Sequence, residues 1–202
     1  MNGKIVSVKL WLRALTVLLV LSGAALALLV YRGGSKAPVP SQQVAGTAST
    51  QALGQFIALD QKLPAPALAF SARDGAPRQL ADFRCQFVLV NLWATWCGPC
   101  VEEMPALDRL QAKLGSKLTI LAVSEDRRGA EVVDPFLQKI GVKHLTVVLD
   151  PKSAALNEFQ VQGLPTSFLI DCNGMILGKL EGAAKWDEAP MLATLERYLS
   201  RN

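Results

Sequence analysis

The chain has 202 residues and a formal charge of +4, a length for one folded domain with additional segments. The positive excess belongs to residues 1–36, which carry Lys4, Lys9, Arg13, Arg32 and Lys36 and no acid; the rest is near neutral, which leaves nucleic-acid binding without an electrostatic footprint. Four cysteines are an even number and allow two disulfides in an oxidising compartment.

Residues 14–31 hold no charge. A helix of that length nearly spans ~30 Å of hydrocarbon at ~1.5 Å per residue. Trp11 and Tyr31 stand at its two ends, where interfacial aromatics belong. Lys4, Lys9 and Arg13 before it outweigh Arg32 and Lys36 after it, which favours a cytoplasmic N-terminus with the remainder outside. The expectation is an uncleaved membrane anchor over residues 1–32. The other reading is a cleaved signal peptide with Ala25-Leu26-Ala27 as its small-x-small site; against it, Leu28-Leu29-Val30 continue the apolar run. Residues 33–58, rich in Gly, Ser, Ala, Pro, Gln and Thr, read as a flexible tether with a reach of ~25–30 Å.

The folded domain is expected over residues 59–202. Residues 68–71 and 78–80 flank the turn signal Arg73-Asp74-Gly75 and read as a short hairpin. Residues 87–93 read as a buried central strand, and 101–114 as a helix kinked at Pro105. Residues 118–124 form a second apolar run, expected to lie parallel to the first through a right-handed crossover. A helix over 130–140, a short strand over 145–149 and a short helix over 153–159 follow. Residues 166–170 and 175–180 flank Asp171-Cys172-Asn173-Gly174 and read as a hairpin. The last helix spans 187–199, with Asp187 as its capping side chain. Alternating strands and helices that end in a hairpin and a helix give an α/β domain with a mixed sheet.

Trp96-Cys97-Gly98-Pro99-Cys100 lies where the central strand turns into the first helix. The unpaired N–H groups and positive dipole end of a helix lower the pKa of a thiol placed there. Cys97, at the helix mouth, is the expected exposed nucleophile. Cys100, one turn on, is close enough to resolve a mixed disulfide. Gly98 and Pro99 keep the loop tight, and Pro99 gives up an N–H that a helix start leaves unpaired. A structural disulfide and half a zinc site are the plainer readings. Zinc needs further ligands, and only Cys85, Cys172 and His144 remain, all solitary. Haem attachment is excluded because Val101, not His, follows Cys100.

The stretch Asn91-Leu92-Trp93-Ala94-Thr95-Trp96-Cys97, the following Glu102-Glu103-Met104-Pro105, and Gly163-Leu164-Pro165-Thr166 resemble the thioredoxin superfamily, in particular its membrane-anchored TlpA/ResA-like branch, over roughly residues 60–200. The resemblance implies a thioredoxin-like fold: a mixed central sheet flanked by helices, with an N-terminal β-hairpin extension. It implies a cis-proline at Pro165 lying against the cysteines, with Leu164 and Pro165 as a substrate platform beside Trp96, Gly98 and Pro99. For Trp96 a contact surface and a purely structural role stand about level. Thioredoxin carries a buried aspartate where this chain has Asn91, and an amide takes no proton, so another group or water must do so. Glu102, Glu103, Glu125 and Asp126 are near in sequence and are expected to be solvated, as surface carboxylates usually are. The superfamily sheet places Cys85 and Cys172 at one edge opposite the active site, as a structural disulfide or as two small thiols.

The activity implied is thiol–disulfide exchange in the periplasm, in the reducing direction. Its targets would be apo-cytochrome c thiols or copper-site assembly proteins, and its electrons would come from a membrane thiol donor. No cofactor beyond the Cys97–Cys100 pair and no metal is implied. The alternative is a Cu(I)-binding assembly factor using the same two thiolates; a peroxidase on the same fold is a third reading, which the Cys-Gly-Pro-Cys helix mouth argues against.

Overall fold

A computed structural model describes residues 55–200. The expected anchor and most of the expected tether lie outside the described residues. Among the described residues no helix is long and apolar enough to cross a membrane.

Eight strands form one mixed sheet. They are β1 (Ile57–Pro64), β2 (Ala69–Ala72), β3 (Pro77–Gln79), β4 (Phe87–Trp93), β5 (Leu118–Ser124), β6 (Thr146–Leu149), β7 (Thr166–Ile170) and β8 (Met175–Glu181), in the order β1-β8-β7-β4-β5-β6-β2-β3. The helices are α1 (Gly98–Leu114), α2 (Ala130–Ile140), α3 (Ala154–Glu158) and α4 (Ala189–Leu199). β4, β5 and β6 run parallel, with Val88 opposite Thr119 and Trp93 opposite Ser124. β7 runs antiparallel to β4, pairing Leu92 with Thr166 and Val88 with Ile170.

The central strand is apolar on both faces because both faces are covered. Its alternate residues divide between two cores. Leu89 and Trp93 pack with Leu107 and Leu110 of α1, Val133 and Leu137 of α2 and Leu195 of α4. Val88, Val90 and Leu92 pack with Phe70, Leu80 and Ala155 on the other face. Asn91 shares the α1 side with Leu89 and Trp93, by the two-residue period of a strand.

Three elements differ from expectation. β1 begins at Ile57, inside the stretch read as tether, and adds an antiparallel edge to β8. Its residues are mostly exposed, and Asp60, Gln61 and Lys62 give it the polar look of a linker. The first helix starts at Gly98, not Val101, because Cys97 caps it and Pro99 fits its first turn. The last helix starts at Ala189 with Glu188 at the cap position and no side-chain cap, while Asp187 pairs with Arg109 at 2.7 Å. The β2–β3 hairpin forms as expected and joins the opposite edge through β6. In the β7–β8 turn, Asp171 Oδ1 accepts the N–H groups of Asn173 (3.0 Å) and Met175 (2.9 Å), and Gly174 takes a left-handed φ of 79°.

Candidate active site

β4 ends at Trp93, Ala94 to Trp96 turn the chain, and Cys97 caps α1. Cys97 and Cys100 are joined by a disulfide with S–S 2.02 Å and Cα–Cα 5.3 Å. Cys97 Sγ also accepts the Cys100 N–H at 3.3 Å, so the sulfur occupies the place of a capping oxygen. Cys97 is 6% exposed and Cys100 0%. The expectation of an exposed Cys97 is corrected: it is the more accessible of the pair, but nearly covered. Exposure at this end belongs to its neighbours, Trp96 at 71%, Gly98 and Pro99.

Leu164 and Pro165 reach the same end of the sheet. Thr166, the first residue of β7, pairs with Leu92 near the end of β4, so Pro165 precedes β7 level with Trp93. The Leu164–Pro165 peptide is cis, as the resemblance implies. Cys85 and Cys172 lie at the far end, where the Cys85 N–H donates to the Cys172 carbonyl at 3.0 Å. The two backbones therefore meet where expected, and Cys85 is exposed and held in left-handed backbone at φ 66°.

Three carboxylates expected in solvent are buried around the cysteines. Glu103 is 3% exposed. Its Oε1 accepts from Asn91 Nδ2 at 2.9 Å, and its Oε2 from the Ala184 N–H at 2.9 Å and Trp186 Nε1 at 2.8 Å. Asn91 Nδ2 also donates to Ser167 Oγ at 3.0 Å. Burial pushes the Glu103 carboxyl up to about 7; the hydrogen bonds from Ala184, Trp186 and Asn91 oppose the rise without cancelling it. A sequence signal for this burial existed. Cys100, Glu103, Leu107, Leu110 and Leu114 recur at helical spacing, so Glu103 lies on the buried stripe of α1.

Glu125 follows β5 and is 3% exposed, with neither carboxylate oxygen at hydrogen-bond geometry to a described residue. Burial, then the charge of Asp150, raise it to about 8; the Ser153 hydroxyl offsets part of the rise. Asp126, also 3% exposed, accepts from the Thr95 backbone and hydroxyl. These residues and Trp96 line a recess of about 550 Å³ with Arg127 and Arg128 at its side. Nothing in the spacing of Glu125 and Asp126 marks them as buried, since their environment comes from the β4–α1 turn and from Asp150 and Ser153.

The Redoxin family profile matches residues 58–197. The thiol-disulfide oxidoreductase ResA of Geobacillus thermodenitrificans is 35% identical over 115 residues, which cover 55% of this chain and 64% of that protein. ResA of Geobacillus kaustophilus is 34% identical over 138 residues, 67% of this chain and 74% of that protein. Among solved structures, a Chlorobium tepidum protein assigned as the thiol:disulfide interchange protein DsbE superposes with a TM-score of 0.63 at 31% identity, over 70% of this chain and 99% of that one. The thioredoxin domain of a Bacteroides vulgatus thiol-disulfide oxidoreductase gives 0.61 at 26% identity, over 70% and 99%.

Proposed function

The chain belongs to the Redoxin family and is a thiol-disulfide oxidoreductase, and on that premise we propose that it is a membrane-anchored reductase of protein disulfides in the periplasm. The observation that carries the reading is the Cys97–Cys100 disulfide at the cap of α1. When the bond is open, the helix mouth favours the Cys97 thiolate. That thiolate attacks one sulfur of a target disulfide and expels the other as a thiolate, which leaves a mixed disulfide. Cys100 then loses its proton and attacks Cys97 Sγ. The target leaves as a dithiol, two electrons richer, and Cys97–Cys100 is oxidised.

Asn91 takes no proton. Glu103 lies one turn beyond Cys100 on the same buried face of α1, and its carboxyl sits near neutrality. We assign it the uptake of the Cys100 proton, because a base works best with a pKa near the working pH. Trp96, Gly98, Pro99 and the half-buried Leu164 form the surface offered to the target, with the buried cis-Pro165 next to Leu164 in the platform. Residues 1–32 anchor the chain, the residues between them and β1 give the domain reach over the membrane, and a membrane thiol donor resets the dithiol. The targets by resemblance are apo-cytochrome c or copper-site assembly proteins.

The test is the reduction potential of Cys97–Cys100 in the full chain, equilibrated against thiol buffers. The expected value is about −230 mV or below, among reductants. A value near about −120 mV would make the chain an oxidant and end the reductase reading.

A further inference from the structure

The turn from Ala94 to Cys97 carries the nucleophile, and it has few backbone bonds of its own: the Cys97 N–H reaches the Ala94 carbonyl at 3.1 Å. Within α1, the Val101 N–H donates to the Cys97 carbonyl at 3.0 Å, and further fastening comes from outside the helix. The Thr95 N–H donates to Asp126 Oδ2 at 2.9 Å, and the Thr95 hydroxyl donates to Asp126 Oδ1 at 2.6 Å. Ser124 Oγ donates to Asp126 Oδ2 at 2.9 Å and accepts the Asp126 N–H at 3.2 Å. The Asp126 carbonyl accepts from the Gly129 N–H at 2.9 Å, and the Glu125 N–H donates to the Trp93 carbonyl at 2.8 Å. The carboxylate is therefore held by Thr95 and Ser124 at the joined ends of β4 and β5, and it accepts both hydrogen-bond donors of Thr95.

In this oxidised form Cys97 is also tied covalently to Cys100. Reduction removes that tie and leaves the sulfur held by the turn and by the Cys100 N–H that it accepts. We propose that Asp126 is a positioning residue for the nucleophile: through Thr95 it keeps the turn in place, so that Cys97 Sγ stays at the mouth of α1 when the disulfide is open. The proposal rests on the thiol–disulfide exchange described above. It gives a function to a buried carboxylate that makes no contact with the sulfurs in its hydrogen bonds. Misplacing a reacting atom by even about 1 Å costs rate steeply, so a latch of this kind matters most in the reduced state.

The test compares the full-length wild type with Thr95→Val, Thr95→Ser and Asp126→Asn. The readouts are kcat and KM for insulin disulfide reduction, the rate of Cys97 alkylation by iodoacetamide in the reduced form, and the melting midpoints of both redox forms. Thr95→Val keeps the shape, the backbone donor and the Asp126 charge, and removes one donor. It is expected to lower kcat and alkylation on the order of tenfold with little change in KM. It should also lower the midpoint of the reduced form more than that of the oxidised form. Thr95→Ser restores the hydroxyl and with it the rates. Asp126→Asn removes an acceptor from the latch and is expected to be at least as slow; should it not fold, Thr95→Val carries the test. Wild-type alkylation and kcat in Thr95→Val, or equal loss in Thr95→Ser, would overturn the proposal. Alkylation does not depend on the direction of electron flow, so failure of the reductase reading leaves this test standing.

Discussion

Glu103 and Glu125 are carboxyl groups that folding takes out of water, and they meet different surroundings. Glu103 finds three donors in Asn91, Ala184 and Trp186, while Glu125 has the Ser153 hydroxyl beside it, outside hydrogen-bond geometry. Both carboxyls are raised on folding, from 4.5 to about 7 and about 8. Above pH 4.5 the unfolded chain gives up protons that the folded chain still holds, so each group makes stability fall as pH rises through its own window. Replacement of Glu125 by Gln removes the charge and leaves the shape. We expect its melting midpoint at pH 8.5 to rise by about 2–4 °C over wild type, the shift that ~1 kcal/mol produces in a domain of this size. At pH 4, where the wild-type carboxyl is already protonated, the two chains should melt together. Thermal scans at the two pH values check this, and an equal gain at both would mean that the charge is not what costs stability. The matching change at Glu103 is no clean probe, because a Gln amide nitrogen would point at one of the donors the carboxylate now satisfies.

Among the secondary-structure elements, β1 depends most on one residue in its partner strand. At Gly178 of β8 an added Cβ would lie 2.5 Å from the Phe56 ring and 2.6 Å from the Ile57 carbonyl. β1 therefore closes the sheet edge only because β8 has no side chain there. Gly178→Ala is expected to lower unfolding stability by about 1–3 kcal/mol, the usual cost of forcing atoms into a packed site, as read from the urea midpoint. The thiol exchange rate should hold, since the site lies at the β4–α1 junction. An unchanged midpoint would show that β1 can shift at no cost. Helix α1 depends on chemistry more than on packing at its start: Cys97 caps it through sulfur, so the residue that reacts also completes the helix that activates it.

On the scale of the whole chain, the proposed division is an anchor, a tether and one catalytic domain. Full-length protein is expected to stay with the membrane fraction through a high-salt wash, and a chain lacking residues 1–32 to appear in the supernatant; a full-length chain released by salt would remove the anchor from the proposal. Much of the domain was legible in the residues themselves. The apolar run of β4, the Trp96-to-Cys100 stretch and the Asp171-to-Gly174 turn carry signals that act over a few neighbours, through strand burial, helix capping and turn chemistry. Burial of Glu103 was also within reach, because helical spacing alone puts it on the core stripe of α1. The near-complete covering of Cys97, the burial of Glu125 beside Asp150 and Ser153 and the grip of Asp126 on Thr95 were not legible, since each needs residues far apart in the chain to meet. Nor was β1, whose polar residues read as tether until Gly178 offers it a place. Local sequence thus determined the elements other than β1 and where the reactive cysteines sit, because propensity and periodicity are short-range. Tertiary structure alone decided that Glu125 and Asp126 lost water and that Asp126 holds the turn before Cys97, because their desolvation and hydrogen-bond partners exist only once β4, β5 and α1 have packed.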